Sequence, residues 1–315
     1  MDPTATVELD GQYRALREGA GLVDRSQRGV LFVSGAEAAD YLESQLTNEV
    51  ESLAPGKGCY AALLDRKGHM QADLRVLRLA PAELWLDTER VAAERLRRHL
   101  DMYRIGRDVT VEDVSAGHAI ISVIGPAAAE AAGAGPLAPE HAHRELGSGR
   151  RAVATDLGVD LIVRASGAEA ARTALLEAGA VEVSEAAAEI LRVESGRPRY
   201  GAEMTEATIP AEAGINERAV SFTKGCYIGQ ETVARLHYKG KPNRHLRGLR
   251  LSSPAARGDA IRVGEREVGV VGTACISPVH GPIGLAIVRR EAVPGDRVDV
   301  GEGGGTAEIV EPPFR

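Results

Sequence analysis

The segment Lys224-Gly225-Cys226-Tyr227-Ile228-Gly229-Gln230-Glu231 places a cysteine two residues after a lysine and just ahead of a helix start. A thiol does chemistry as its thiolate, and a nearby cation or helix N-terminus favours that form. Gly225 and Gly229 allow tight turns on both sides. Gln230 to Leu236 then reads as a short helix with acid early and base late. Two readings stay open. Cys226 is a reactive thiol kept partly ionised by Lys224, or it is a structural cysteine in a strand-to-helix turn, since free cysteine is among the most buried residue types.

Two carboxylates come next. Glu194 shares a helix stripe with Ala187, Ile190 and Leu191, where a charge is costly unless it finds donors. The backbone N–H groups of the turn through Gly196 are one such source. Asp73 alternates with Met70, Ala72, Leu74 and Val76 and shares the opposite strand face with Gln71 and Arg75. It is a solvated strand residue beside Arg75 or, if desolvated, a general base or charge stabiliser. Tyr200 could stack on a flat ring or hydrogen-bond to it. Arg192 faces differently from Glu194 and reads as solvated. His141 and His143 read as exposed loop residues, and no metal site is expected.

The elements that must position these groups follow from periodicity. Strands are expected at Val30–Val33, Cys59–Leu64, His69–Leu77 and Leu84–Leu86, with a turn at Asp65–Gly68 and helices at Ala36–Leu46 and from a Thr88 cap to about Leu100. A second run of similar rhythm has a strand His118–Ile124, a hairpin around Gly158, and helices at Ala168–Ala178 and Ser184–Val193. After about Leu246, short apolar runs alternate with Gly-rich turns, the pattern of a small all-β domain, barrel or sandwich. Between Arg235 and Arg250 lie six Lys/Arg and no acid. That stretch could attract an oligoglutamate tail or phosphates, or serve as a hydrated inter-domain connector.

Composition narrows the class. At 315 residues, two or three domains with ample core are expected. A net charge of −7 and only one Trp, three Phe and seven Tyr argue against direct nucleic-acid binding. Cys59, Cys226 and Cys275 form no CxxC pair, which argues against disulfides and zinc and for a reducing cytoplasm. The N-terminus lacks a basic-then-apolar signal pattern, and the most apolar stretch, Ala119–Ile124, is too short to span a bilayer. No membrane association is expected.

The segment around Cys226 resembles the signature of the YgfZ-type folate-binding proteins, relatives of the glycine cleavage T-protein (aminomethyltransferase). Leu191-Arg192-Val193-Glu194-Ser195-Gly196-Arg197-Pro198-Arg199-Tyr200-Gly201, Ile209 to Gly214, Gln45 to Val50 and Asp65 to Met70 extend the resemblance over roughly residues 20 to 250. It implies an α+β fold: two ferredoxin-like α+β units around a central folate site plus a C-terminal all-β barrel domain. The implied boundaries are 1–115, completed in space by about 200–243, then 116–199 and 244–315. It implies tetrahydrofolate or a one-carbon derivative as ligand, with Glu194 holding the pterin. The amino-pyrimidinone edge of a pterin offers two adjacent N–H groups to a carboxylate. Tyr200, Arg192, Tyr227 and Gln230 complete the expected binding set. Cys226, Lys224 and Asp73 are the expected chemical groups, although the T-protein branch carries paired acids where this chain has Ala72-Asp73. The cysteine favours a folate-dependent helper of iron–sulfur enzymes or their assembly machinery. The alternative is an aminomethyltransferase that moves a one-carbon unit to tetrahydrofolate.

Overall fold

The protein, seen in a computed structural model, is described over residues 3–315; Met1 and Asp2, the start of the N-terminal stretch read above, lie outside the described residues. The chain is mixed α+β and divides into two compact units. Among the described residues, the first comprises 3–64, 71–188 and 218–228; the second comprises 65–70, 189–217 and 229–315. No described helix is long and apolar enough to cross a membrane.

The first unit holds two sheets. One has five strands, in the order Gly58–Leu64, Met70–Ala80, Glu83–Thr88, Gly29–Ser34, Thr110–Asp113. The other has six, in the order Val181–Glu182, Gly21–Asp24, His118–Ile124, Gly158–Arg164, Arg150–Ala154, His143–Gly147. The expected strands and helices of this region are present, together with a helix Pro3–Glu18 and strands Gly21–Asp24, Thr110–Asp113, His143–Gly147 and Val181–Glu182 that the sequence reading did not anticipate. Val30, Leu77 and Trp85 of the first sheet pack with Ile120, Val153 and Ile162 of the second in one core cluster. This packing decides the fate of Asp73 and Arg75. They share a strand face with Leu77, so the face read as polar is covered, and both residues are buried. Met70, Ala72, Leu74 and Val76 on the other face are buried as expected. The expected Thr88 cap is not made. Thr88 ends a strand and donates its hydroxyl to Asp73 O at 2.6 Å, while the helix Arg90–Tyr103 starts after Glu89.

The second unit is built on a closed six-stranded barrel, so the barrel alternative holds over the sandwich. Leu249, Ile261, Val271, Ala286, Val288, Val298 and Ile309 fill it. The Gly301–Gly305 run joins two neighbouring strands as a hairpin loop. The basic stretch is not a connector. Arg235 and Lys239 lie on the helix Gln230–Lys239, whereas Arg244, Arg247 and Arg250 lie on barrel strand Arg244–Leu251. Two of these strand residues are paired, Arg244 with Glu212 at 3.0 Å and Arg247 with Glu311 at 3.1 Å.

Candidate functional site

In the first unit, Asp73 sits in a built environment. Tyr60 donates its hydroxyl to Asp73 Oδ2 at 2.7 Å. Burial pushes the Asp73 carboxyl up to about 6, with the Tyr60 hydrogen bond and the Arg28 charge opposing the rise and Glu89 adding to it. The Arg218 guanidinium lies over the Tyr60 ring at 5.1 Å and is itself tied to Glu140 at 2.6 Å. Tyr60 and Arg218 were not anticipated as site residues. Tyr60 lies 13 positions before Asp73 on the neighbouring strand, and only strand pairing brings the two side chains together.

Lys224 is placed differently from its expected role beside Cys226. Its ammonium donates to the carbonyls of Glu43, Leu46 and Asn48 at 2.7, 2.8 and 2.8 Å and pairs with Glu43 Oε1 at 3.3 Å. Three carbonyls account for the three hydrogens of an ammonium group. Leu46 caps the helix Ala38–Gln45, so the cation also meets the negative end of that helix. The Lys224 charge is felt at the Cys59 thiol, which burial nevertheless pushes up to about 12. Cys226 is exposed and stands three residues ahead of Gly229, which caps the helix Gln230–Lys239. Tyr227 is buried, its hydroxyl has no hydrogen-bond partner among the described residues, and burial raises it to about 12. Lys224 thus acts as a clamp. Lys224→Met is expected to destabilise the protein by about 2–4 kcal/mol, because it strands buried carbonyls. Urea unfolding checks this, and a loss below about 0.5 kcal/mol would show that the clamp contributes nothing.

In the second unit, Glu194 is buried near the end of the helix Glu185–Glu194. Ser277 donates to Glu194 Oε1 at 2.6 Å. The N–H groups of the turn through Gly196 bond carbonyls of the preceding helix. Gly196 N–H bonds Val193 O and Arg197 N–H bonds Arg192 O, with Gly196 at φ +67, a left-handed helix cap that glycine adopts without strain. Cys275, two residues before Ser277, is pushed up to about 12 by burial and by Glu194. Arg192 corrects a second expectation. It is buried, not solvated, and binds Glu189 at 2.8 Å and Glu203 at 3.0 Å. Tyr200 is buried and donates to Met70 O at 3.4 Å. Gln230 opens the helix Gln230–Lys239.

The two loop histidines are not exposed. His143 is buried on a strand, bonded to Lys57 O, and lowered to about 4 by burial and by Arg151. His141 is lowered to about 3 by burial and by the Arg75 and Arg218 charges. Both are therefore neutral imidazoles at physiological pH.

Residues 5–134 match the model of the GCVT N-terminal domain. An aminomethyltransferase of Exiguobacterium sibiricum is 31% identical over 308 residues, covering 92% of this chain and 84% of the relative. The chain belongs to the glycine cleavage T-protein (aminomethyltransferase) superfamily. Another aminomethyltransferase, from Rubrobacter xylanophilus, is 28% identical and covers 99% of this chain and 87% of its own. The crystal structure of glycine cleavage system aminomethyltransferase T from Bartonella henselae shares the fold. It has a TM-score of 0.88 at 23% identity, covering 98% of this chain and 89% of that one. These relatives overturn the iron–sulfur helper expectation and its partners. Proteins alignable over nine-tenths of the chain are named aminomethyltransferases, which favours the alternative reading. The helper reading rested on the Cys226 segment, where Lys224 proves to be a carbonyl clamp within this T-protein superfamily member.

Proposed function

We propose that the protein transfers a one-carbon unit from an aminomethyl donor to tetrahydrofolate. The observation that carries this reading is the Tyr60–Asp73 pair. It is a buried carboxyl group with a pKa near 6, on the strand where the resemblance puts the assisting acid of the T-protein branch. Aminomethyltransferases use tetrahydrofolate, which supplies the nitrogen that accepts the carbon unit. A group that takes or holds a proton at that nitrogen works best with a pKa close to the working pH. Asp73 is the proposed base or charge stabiliser, and Tyr60 orients it. Absence of the second acid of the pair, at Ala72, leaves Asp73 to carry the role.

Glu194 is the proposed pterin ligand, since its two oxygens match two adjacent N–H groups. The Tyr227 hydroxyl is a buried polar atom of the kind that a bound ligand satisfies. Tyr200 and Gln230 are proposed as further contacts. Arg192, engaged by Glu189, Glu203, the Thr273 hydroxyl and the Arg197 carbonyl, is better explained as a support than as a ligand contact.

Titration calorimetry is expected to show saturable tetrahydrofolate binding, weakened on the order of 10- to 100-fold by Glu194→Gln, which turns an acceptor oxygen into a donor. Incubation with an aminomethyl donor and tetrahydrofolate is expected to release ammonia. No saturable binding, or unchanged affinity in Glu194→Gln, would end this reading.

A further inference from the structure

Glu194 is a ligand group only if its carboxylate is held in one orientation, and the second unit contains a device that does this. The strand Arg266–Ser277 has a bulge: its register against Gly281–Arg289 shifts between Val271 and Thr273, leaving Gly272 as the extra residue. A Cβ on Gly272 would lie 2.8 Å from Glu203 Cγ, so the bulge and its glycine make room for that side chain. The Glu203 side chain is 0% exposed. Its carboxylate receives Thr273 Oγ1 at 2.5 Å, the Arg199 N–H at 3.0 Å and Arg192 Nη1 at 3.0 Å. Arg192 also donates to Thr273 Oγ1 at 2.7 Å. The helix end is thereby tied to this strand at Thr273. Ser277 lies four residues further on, and in a strand that spacing returns the side chain to the same face.

At Ser277 the hydrogen-bond inventory is directional. Its Oγ accepts the N–H groups of Val279 at 3.0 Å and His280 at 2.9 Å. A hydroxyl has two acceptor positions and one hydrogen. With both acceptor positions taken by the turn, the hydrogen points to Glu194 Oε1, 2.6 Å away.

We propose that Ser277 is a positioning residue for tetrahydrofolate recognition: it fixes the Glu194 carboxylate through a hydroxyl that the following turn locks in donor orientation. The Arg192–Glu203–Thr273 tie brings the two side chains into register. This inference rests on Glu194 being the pterin ligand, and the test separates the two. Ser277→Ala raises KM and Kd for tetrahydrofolate roughly tenfold, the weight of a hydrogen bond to a charged group, with kcat within about twofold. Ser277→Thr keeps the hydroxyl and restores affinity to within about threefold of wild type. In a Glu194→Gln background, Ser277→Ala has little further effect on Kd, because both changes act through one contact. A turn that is merely loosened would instead weaken binding equally in both backgrounds and would not be rescued by threonine; that outcome overturns the proposal. If Glu194→Gln weakens binding and Ser277→Ala does not, the positioning role fails and the Glu194 reading stands. If Glu194→Gln itself binds like wild type, the ligand reading fails and takes this inference with it.

Discussion

Asp73→Asn is expected to lower turnover by about 10²- to 10⁴-fold, the usual weight of a positioned acid–base group. The substitution preserves shape and can still accept the Tyr60 hydrogen bond, so the loss reports on the proton and the charge. Wild-type activity should rise through an apparent pKa near 6, and this limb should vanish in Asp73→Asn. Tyr60 donates to the carboxylate and opposes the rise in its pKa, so Tyr60→Phe should move the limb to higher pH. Stability should respond in the opposite sense from activity. The folded-state pKa lies above the ordinary value, so the folded protein binds the proton more tightly between 3.8 and about 6. The resulting stability is present below that range and is lost as pH rises through it. At neutral pH Asp73 is a buried charge held at a cost of about 2–3 kcal/mol. Asp73→Asn should therefore gain stability over wild type, with the gain growing between pH 4 and 7. A pH series of urea unfolding measures this. A variant that is inactive but gains no more stability over wild type at pH 7.5 than at pH 4 would show that Asp73 is not a strained buried acid.

The same strand shows how far the sequence could be read. Alternation of Met70, Ala72, Leu74 and Val76 marked a core face correctly, because those side chains have no polar atoms to mislead. The opposite face carried Asp73 and Arg75 and looked solvated. What covers it is a second sheet, packed through Ile120, Val153 and Ile162, and single-strand periodicity contains no information about residues so distant in the chain. Glu194 was legible as a carboxylate on an apolar stripe, but a donor that holds it, Ser277, lies 83 residues later in the barrel. Lys224 was legible as a cation near Cys226; the carbonyls that hold it lie between Glu43 and Asn48. The barrel strands were legible because each is short, apolar and bounded by turn residues, so local chemistry specified them. Residue types that could do chemistry were thus visible, and their partners, set by tertiary pairing, were not.

Those hidden partners carry the largest stability prediction. Arg75 and Asp87 face each other across neighbouring strands, and Ser122 and Asp160 do the same in the second sheet. Arg75 joins the pairs, reaching Asp87 at 2.8 Å and Asp160 at 2.7 Å. Ser122 donates to the other Asp160 oxygen at 2.6 Å, and Arg28 to the other Asp87 oxygen at 3.0 Å. Asp87, at 1% exposure, therefore pairs with two guanidinium groups, Arg75 buried beside it and Arg28 half-buried. Buried ion pairs gain little over an apolar packing, but removing one partner leaves a charge without compensation. Asp87→Ala should destabilise the first unit by about 3–5 kcal/mol. The nearby Arg28–Glu89 contact at 2.6 Å limits the loss on the Arg28 side, so most of it should arise at Arg75. That assignment has its own test. Adding Arg75→Met to Asp87→Ala removes the stranded cation and should recover more than half of the loss, even though Asp160 then loses its Arg75 partner and keeps the Ser122 hydrogen bond. If the double variant is less stable than Asp87→Ala alone, the network contributes net attraction beyond mutual neutralisation. If Asp87→Ala costs less than about 1 kcal/mol by urea unfolding, the two guanidinium groups are not confined as the geometry implies, and the desolvation that lifts Asp73 toward neutrality would be open to question on the same strand face.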